Sequence, residues 1–204
     1  MNSEFISIRS LTTDTEFNSS LSFLSNVFLQ GEHLMIYQKA TIEDFLTYYS
    51  SIKQAYLKSF CYGAFLNEEL RGSTLMIEYN NPAIFEFDVP ETFKKFDNFF
   101  DEAYQANAKF INLEKCLFLV CIGSDLKGVG TLLIKKFIEE FEKQIVFNEF
   151  YVEASNPVTM IIIKKVLEGK QEWEMMKINE MHYDGKIKVE FYLCKYEGNI
   201  QKKK

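Results

Sequence analysis

The residues whose types and spacing could do chemistry lie in the second half of the chain. An unbroken apolar run, Cys116-Leu-Phe-Leu-Val-Cys-Ile122, leads into a turn carrying Gly123, Gly128 and Gly130. An amphipathic stretch leaves directly from that turn, with Leu132, Leu133, Phe137, Ile138 and Phe141 on one side and Lys135, Lys136, Glu139 and Glu140 on the other. A buried strand entering a glycine-bearing turn and then a helix is an arrangement that binds phosphate. The helix's first amides have no internal acceptors, and its dipole leaves partial positive charge there. Gly128 and Gly130 put no Cβ between backbone and an anion. The turn lacks the Gly-Lys-Ser/Thr of a P-loop and the third glycine of a dinucleotide fingerprint, so a plain tight strand-to-helix connection is the structural alternative.

Other chemistries are poorly supplied. The histidines are His33 and His182, the latter beside a turn, and the cysteines Cys61, Cys116, Cys121 and Cys194 form no C-x-x-C pair. A zinc site needs about four N or S ligands at motif spacing, so no metal is expected. All four cysteines sit in apolar runs, where a reduced buried thiol is the default. Arg9 and Arg71 are the two arginines, too few for a bidentate phosphate clamp. Abundant Phe and Lys beside scarce Arg fit an AT-rich genome, which makes most of the aromatics core filler.

These residues must be positioned by elements whose limits the pattern suggests. Phe5, Ile6 and Ile8 open a short strand; Thr12, Thr13 and Asp14 offer caps for a helix with Phe17, Leu21, Leu24 and Phe28 on one face, stopped by Gly31. Thr41 caps a second helix whose stripe runs Ile42, Phe45, Leu46, Tyr49, Ile52 and Tyr56. Strands at 61–66 and 73–79 flank a charged turn at 67–71, and Asn80, Asn81 and Pro82 end the pair. A third helix over 91–106 aligns Phe93, Phe96, Phe100 and Tyr104. The run at 116–122 reads as a strand covered on both faces. After the glycine turn and its helix come a strand at 147–154, a helix opened by Pro157, and strands at 173–181 and 186–196 joined at Tyr183, Asp184 and Gly185.

With no linker or repeat in its 204 residues, the chain reads as one α+β domain with a frayed tail at 198–204. That length buries ~70% of the unfolded surface without staples. Lys+Arg 23 against Asp+Glu 29 gives a net charge of −6, which leaves no electrostatic footprint for nucleic acid. No signal peptide and no run of ~20 apolar residues is present, so the expectation is a soluble cytoplasmic protein without a membrane partner.

Strand, glycine turn, helix, then a strand ending in Val152-Glu-Ala-Ser-Asn-Pro157, a helix and a terminal hairpin resembles the core of the GNAT superfamily of acyl-CoA N-acyltransferases. The likeness covers roughly 113–196, and the wording at 153–157 looks most like the branch that includes puromycin acetyltransferase. The resemblance implies a mostly antiparallel sheet flanked by helices, with a splayed parallel pair at strands four and five, a cofactor-binding core at 113–196 and an acceptor-side half at 1–112. The family's pyrophosphate motif, Q/R-x-x-G-x-G/A, here reads Asp125-Leu126-Lys127-Gly128-Val129-Gly130, matching at both glycines and departing at the first position. Asp125 would repel a pyrophosphate, so it is expected to point away or to cap the helix.

The resemblance further implies that amides of Lys127, Gly128, Val129, Gly130 and Thr131 cradle the pyrophosphate of acetyl-CoA. Val120, Cys121 and Ile122 would present backbone to the pantetheine arm, and Asn156 matches a position that contacts it. The family's tyrosine acid, seven residues beyond that Asn, is here Ile163, which cannot donate a proton. What it implies of activity is N-acetyl transfer by direct attack of a small-molecule or peptide amine, through a tetrahedral intermediate. A backbone amide near Ile122 would serve the oxyanion. A thiolate of pKa ~8.5 leaves tolerably without an acid. Glu153 and Glu78 are candidate bases, Glu153 having a structural role as its alternative, and Tyr183, Tyr192 or Tyr196 could replace the missing acid. Acceptor specificity would come from the first two helices and the 80–110 segment. The other readings are a non-catalytic GNAT-like acyl-CoA-binding or protein-interaction domain, and a fold-only relative. The aromatic-rich first half supplies either a homodimer surface or a core.

Overall fold

The computed structural model describes residues 5–80 and 89–198. Asn81, Pro82 and the tail beyond 198 lie outside them. Strand β1 (Ile6–Ser10) leads to helix α1 (Asp14–Gly31), where Thr13 and Glu16 form a reciprocal capping box and Phe17, Leu21 and Leu24 face inward. The chain turns at Glu32, whose carboxylate accepts the Met35 amide at 2.8 Å and starts a short helix, α2 (His33–Tyr37), which periodicity alone did not reveal. Helix α3 (Ile42–Ser51) is capped by a second box, Thr41 with Asp44. It ends before the expected stripe does. Ile52 and Tyr56 reach the same core from a 3₁₀ turn at Lys53–Ala55, and Tyr56 bridges to Ile77.

Strands β2 (Tyr62–Leu66) and β3 (Glu69–Glu78) form a hairpin whose turn is two residues, not the expected five. Asn67 and Glu68 both take positive φ, 51° and 64°, the geometry that matches strand twist in a two-residue loop. Helix α4 (Lys94–Asn107) follows a 3₁₀ turn and precedes β4 (Cys116–Ser124). Helix α5 (Val129–Phe141) crosses to β5 (Glu149–Ala154), and α6 (Pro157–Leu167) leads to the hairpin β6 (Trp173–Tyr183) and β7 (Ile187–Tyr196). On α5 the inward face includes Ile134, while Leu132 is 39% exposed, a rotation of one position from the expected stripe.

The sheet order is β1-β2-β3-β4-β5-β7-β6, antiparallel throughout except for the parallel pair β4–β5. That is the mixed architecture the resemblance implied. α1, α3 and α4 cover one face and α5 and α6 the other, each over its own aromatic-rich core. Phe137, Phe141 and Phe150 interlock on the α5 side at ring separations of 5.1 to 6.0 Å. Phe118, Val120 and Ile122 of β4 are only half-buried, because they border open space instead of helix. Among the described residues no helix is long and apolar enough to cross a membrane.

Candidate active site

β4 and β5 pair from Cys116↔Glu149 to Leu119↔Val152 and no further. Beyond that point β4 keeps only β3 as a neighbour and β5 keeps only β7. The strands therefore part, and β4 turns an unpaired backbone edge into the gap. β4 also carries a bulge: Leu75 faces Cys121 and Met76 faces Leu119, leaving Val120 as the extra residue. A bulge bends its strand and frees backbone groups from the ladder. The cleft between the parted strands encloses about 290 Å³. Val27, Phe28 and Glu32 border it on one side, and Gly130, Thr159 and Ile162 on the other. Gly123 lets α1 lie this close, since a Cβ there would meet Leu24 at 3.0 Å and Val27 at 3.1 Å.

At one end of the cleft stands the N-terminus of α5. Gly128 is its N-cap at φ +88°, a conformation costly for any residue with a Cβ, and no side chain caps the helix. The Val129 amide turns back to the Leu126 carbonyl at 3.2 Å, so the cradle expected of five successive amides loses that one to the turn itself. Asp125 is not among the residues lining the cleft and binds Arg71 through both oxygens at 2.9 Å. It is not a cap. A Cβ on Gly130 would sit 3.3 Å from Ile162, so the glycine keeps α5 and α6 in close contact at the cleft wall.

Glu153 occupies the other end. It is the last residue but one of β5, beyond the point where pairing with β4 stops. It lines the cleft and also a second cavity of about 90 Å³ on the α3–α4 side. Burial pushes its carboxyl up to about 8, against an opposing hydrogen bond from the Tyr151 hydroxyl. Tyr151 is held in turn by Asn107 Nδ2 at 3.0 Å, and Asn107 Oδ1 accepts from Asn179 at 2.9 Å. A carboxyl tuned toward neutral pH at the junction of two cavities can exchange a proton with a bound amine.

The second cavity joins α3 to α4. Tyr48 and Tyr49 meet Phe96, Phe100, Tyr104 and Phe118 around it, with Asp97 and Asp101 one helical turn apart. These are the segments expected to face an acceptor, but the acids were not singled out. On sequence they fall on the polar side of an amphipathic helix; in the structure both are half-buried on the cavity wall, and the hydroxyl of Tyr48 donates to Asp97 at 2.7 Å.

The other expected residues separate into those near the cleft and those away from it. Asn156 lines it, but its side chain is engaged: Oδ1 caps α6 by accepting the Val158 amide at 3.0 Å, and Nδ2 donates to the Gly31 carbonyl at 3.5 Å. Ile122 and Val120 border the cleft, while Cys121 points into the α1–α3 core with its thiol pushed up by burial. Thr131 is half-buried on the first turn of α5 and Lys127 is exposed. Glu78 is exposed and alternates with Ile77 and Tyr79 of the α3–α4 core, so it lies on the opposite face from Glu153 and outside both cavities. Ile163 is fully buried under α6; the residues of that helix facing the cleft are Val158, Thr159 and Ile162. Tyr183 packs against Tyr37 and Phe99, Tyr192 donates to Glu190, and Tyr196 lies against Trp173, all away from the cleft. His182 is exposed, and the described residues contain no group of three His, Cys, Asp or Glu placed to hold a metal.

The sequence matches no protein-family profile and no curated protein. The structure does have likenesses among solved proteins. A Drosophila melanogaster polyamine N-acetyltransferase that forms N-acetylagmatine superposes with a TM-score of 0.63 at 12% identity, covering 93% of this chain and 99% of that one. A mutant of an agmatine N-acetyltransferase gives 0.58 at 11%, covering 92% and 98%. An aminoglycoside acetyltransferase in complex with coenzyme A and kanamycin gives 0.53 at 13%, covering 97% and 98%. At such identities the likeness speaks for fold, and it extends over nearly the whole of each chain. The chain has the mixed-sheet fold of the GNAT acetyltransferases.

Proposed function

We propose that this protein is a GNAT-type N-acyltransferase that moves an acetyl group from acetyl-CoA to an amine. The observation that carries the reading is Glu153, a half-buried residue whose carboxyl has a raised pKa, placed where the β4–β5 cleft meets a second cavity. The fold neighbours named above are described by amine acceptors, which agrees with it.

The residues present fit acetyl-CoA. The α5 amides of Gly130 and Thr131, with the open turn at Gly128, would take the pyrophosphate. The unpaired edge of β4 would take the pantetheine arm as an added strand does. Acetyl-CoA supplies the thioester carbonyl. Glu153 accepts the proton of the incoming ammonium and leaves a neutral amine to attack. Beyond Leu119 β4 has no partner on its β5 side, and a backbone N–H on that open edge, near Ile122, is suited to the oxyanion. Ile163 plays no part because it is core. Of the hydroxyls lining the cleft, those of Ser124 and Ser155 donate to the Leu126 carbonyl and to Glu32, and a thiolate of pKa ~8.5 is able to depart without an acid.

The lack of a tyrosine anywhere on α6 favours a second reading, a domain that binds acyl-CoA without turnover. Calorimetric titration with acetyl-CoA, run beside a thiol-release assay over a panel of primary amines, separates the two. The enzyme reading expects micromolar binding and amine-dependent thiol release. Binding without release on any amine would leave the second reading; no binding at millimolar acetyl-CoA would remove both.

A further inference from the structure

We infer that the α3–α4 cavity is an acceptor subsite selecting a slender aliphatic diamine, in which one ammonium meets Glu153 and a second cation meets Asp97 and Asp101. The inference rests on the transferase reading above and adds the class of acceptor. Three features of the cavity point to it. The first is charge. Three carboxyl groups line the space and no lysine or arginine does, so among the described residues no protein cation neutralises it. Burial raises the pKa of Asp97 and of Asp101 from the ordinary aspartate value, and the charge of Asp97 raises Asp101 further. A bound dication would relieve all three.

The second is the wall. Phe96 and Phe100 lie 4.7 Å apart with Tyr48 edge-on to Phe96 at 5.7 Å, and Tyr104 and Phe118 continue the lining. Aromatic faces attract ammonium groups while their bodies cover methylenes, so acids within aromatic walls suit an alkyl chain charged at both ends. The third is size. At about 90 Å³ the cavity is far below the ~300–1,000 Å³ of pockets for drug-sized ligands, which favours a thin chain over a ring system. Tyr48 fixes the geometry by holding Asp97 at 2.7 Å, leaving the carboxyl's second oxygen to the ligand.

The test compares 1,4-diaminobutane with butylamine in the thiol-release assay, for the wild type and for Asp97→Asn and Asp101→Asn. Expected is a kcat/KM at least about tenfold higher for the diamine, through KM, with that ratio collapsing toward one in both variants. Equal use of the two amines by the wild type, or variants that leave the ratio intact, would overturn the proposal. If no amine is turned over, the transferase reading fails separately. Calorimetry with 1,4-diaminobutane then decides the subsite: binding that Asp101→Asn weakens about tenfold supports it, and no binding at millimolar diamine rejects it. Far-UV circular dichroism and melting confirm that each variant is folded.

Discussion

A carboxyl group with its affinity for protons raised by burial leaves a mark on both rate and stability. If Glu153 is the base, kcat/KM rises with pH and inflects near about 8. Glu153→Gln should remove that limb and lower kcat by ~10²–10⁴-fold on every amine, as read from thiol release across pH. The stability consequence has the opposite slope. Between the ordinary glutamate value of 4.5 and about 8 the folded state holds a proton that the unfolded chain gives up, so stability falls as pH rises through that window. Urea unfolding at pH 5 and pH 8 should show wild type losing stability that Glu153→Gln retains. A pH-independent difference between the two proteins would mean that Glu153 ionises as an ordinary surface group. Sequence made Glu153 a candidate from its place at the end of a strand, but Tyr151, Asn107 and Asn179, the chain of hydrogen bonds behind it, come from three separate elements. No local pattern links them.

Helix α6 gives a contrast at the scale of the element. Ile162 borders the cleft and Ile163 lies in the core, although sequence spacing pointed to Ile163 as the position of a missing acid. Ile162→Tyr should place a phenol at the cleft wall with little loss of stability, whereas Ile163→Tyr overpacks the core at a cost of ~1–3 kcal/mol. Thermal unfolding of the two variants checks this, and similar melting temperatures would contradict the assigned faces. Legibility followed the same division between local and non-local causes. Thr13 with Glu16, Thr41 with Asp44, and Asn156 before Pro157 announce their helix starts by side chains a few residues apart. The Gly31 stop was equally visible. The end of α3 was not, because Ile52 and Tyr56 continue its apolar stripe while the backbone tightens into a 3₁₀ turn to meet β3. The bulge at Val120 was invisible for a related reason: it is a mismatch between two strands, and the apolar run 116–122 reads the same with or without it.

Across the whole molecule, the topology sets two cavities on either side of one carboxyl. The cleft passes between the parted β4 and β5 and is bordered by α1, α5 and α6. The acid-lined cavity lies under α3 and α4, with Val120 and Glu153 common to both. This meeting depends on β7 inserting between β5 and β6, so that β5 keeps one paired edge while its other edge opens. Strand order of this kind arises from contacts far apart in the chain and could be reached from sequence only through resemblance to known folds. It has a consequence for the order of events. On the transferase reading proposed above, separate chambers sharing a single seam would let donor and acceptor occupy the protein together, so neither would need to depart before the other enters. Initial velocities measured against acetyl-CoA at several fixed amine concentrations should then give double-reciprocal lines that cross; parallel lines would mean that the acetyl group waits on the protein between two half-reactions.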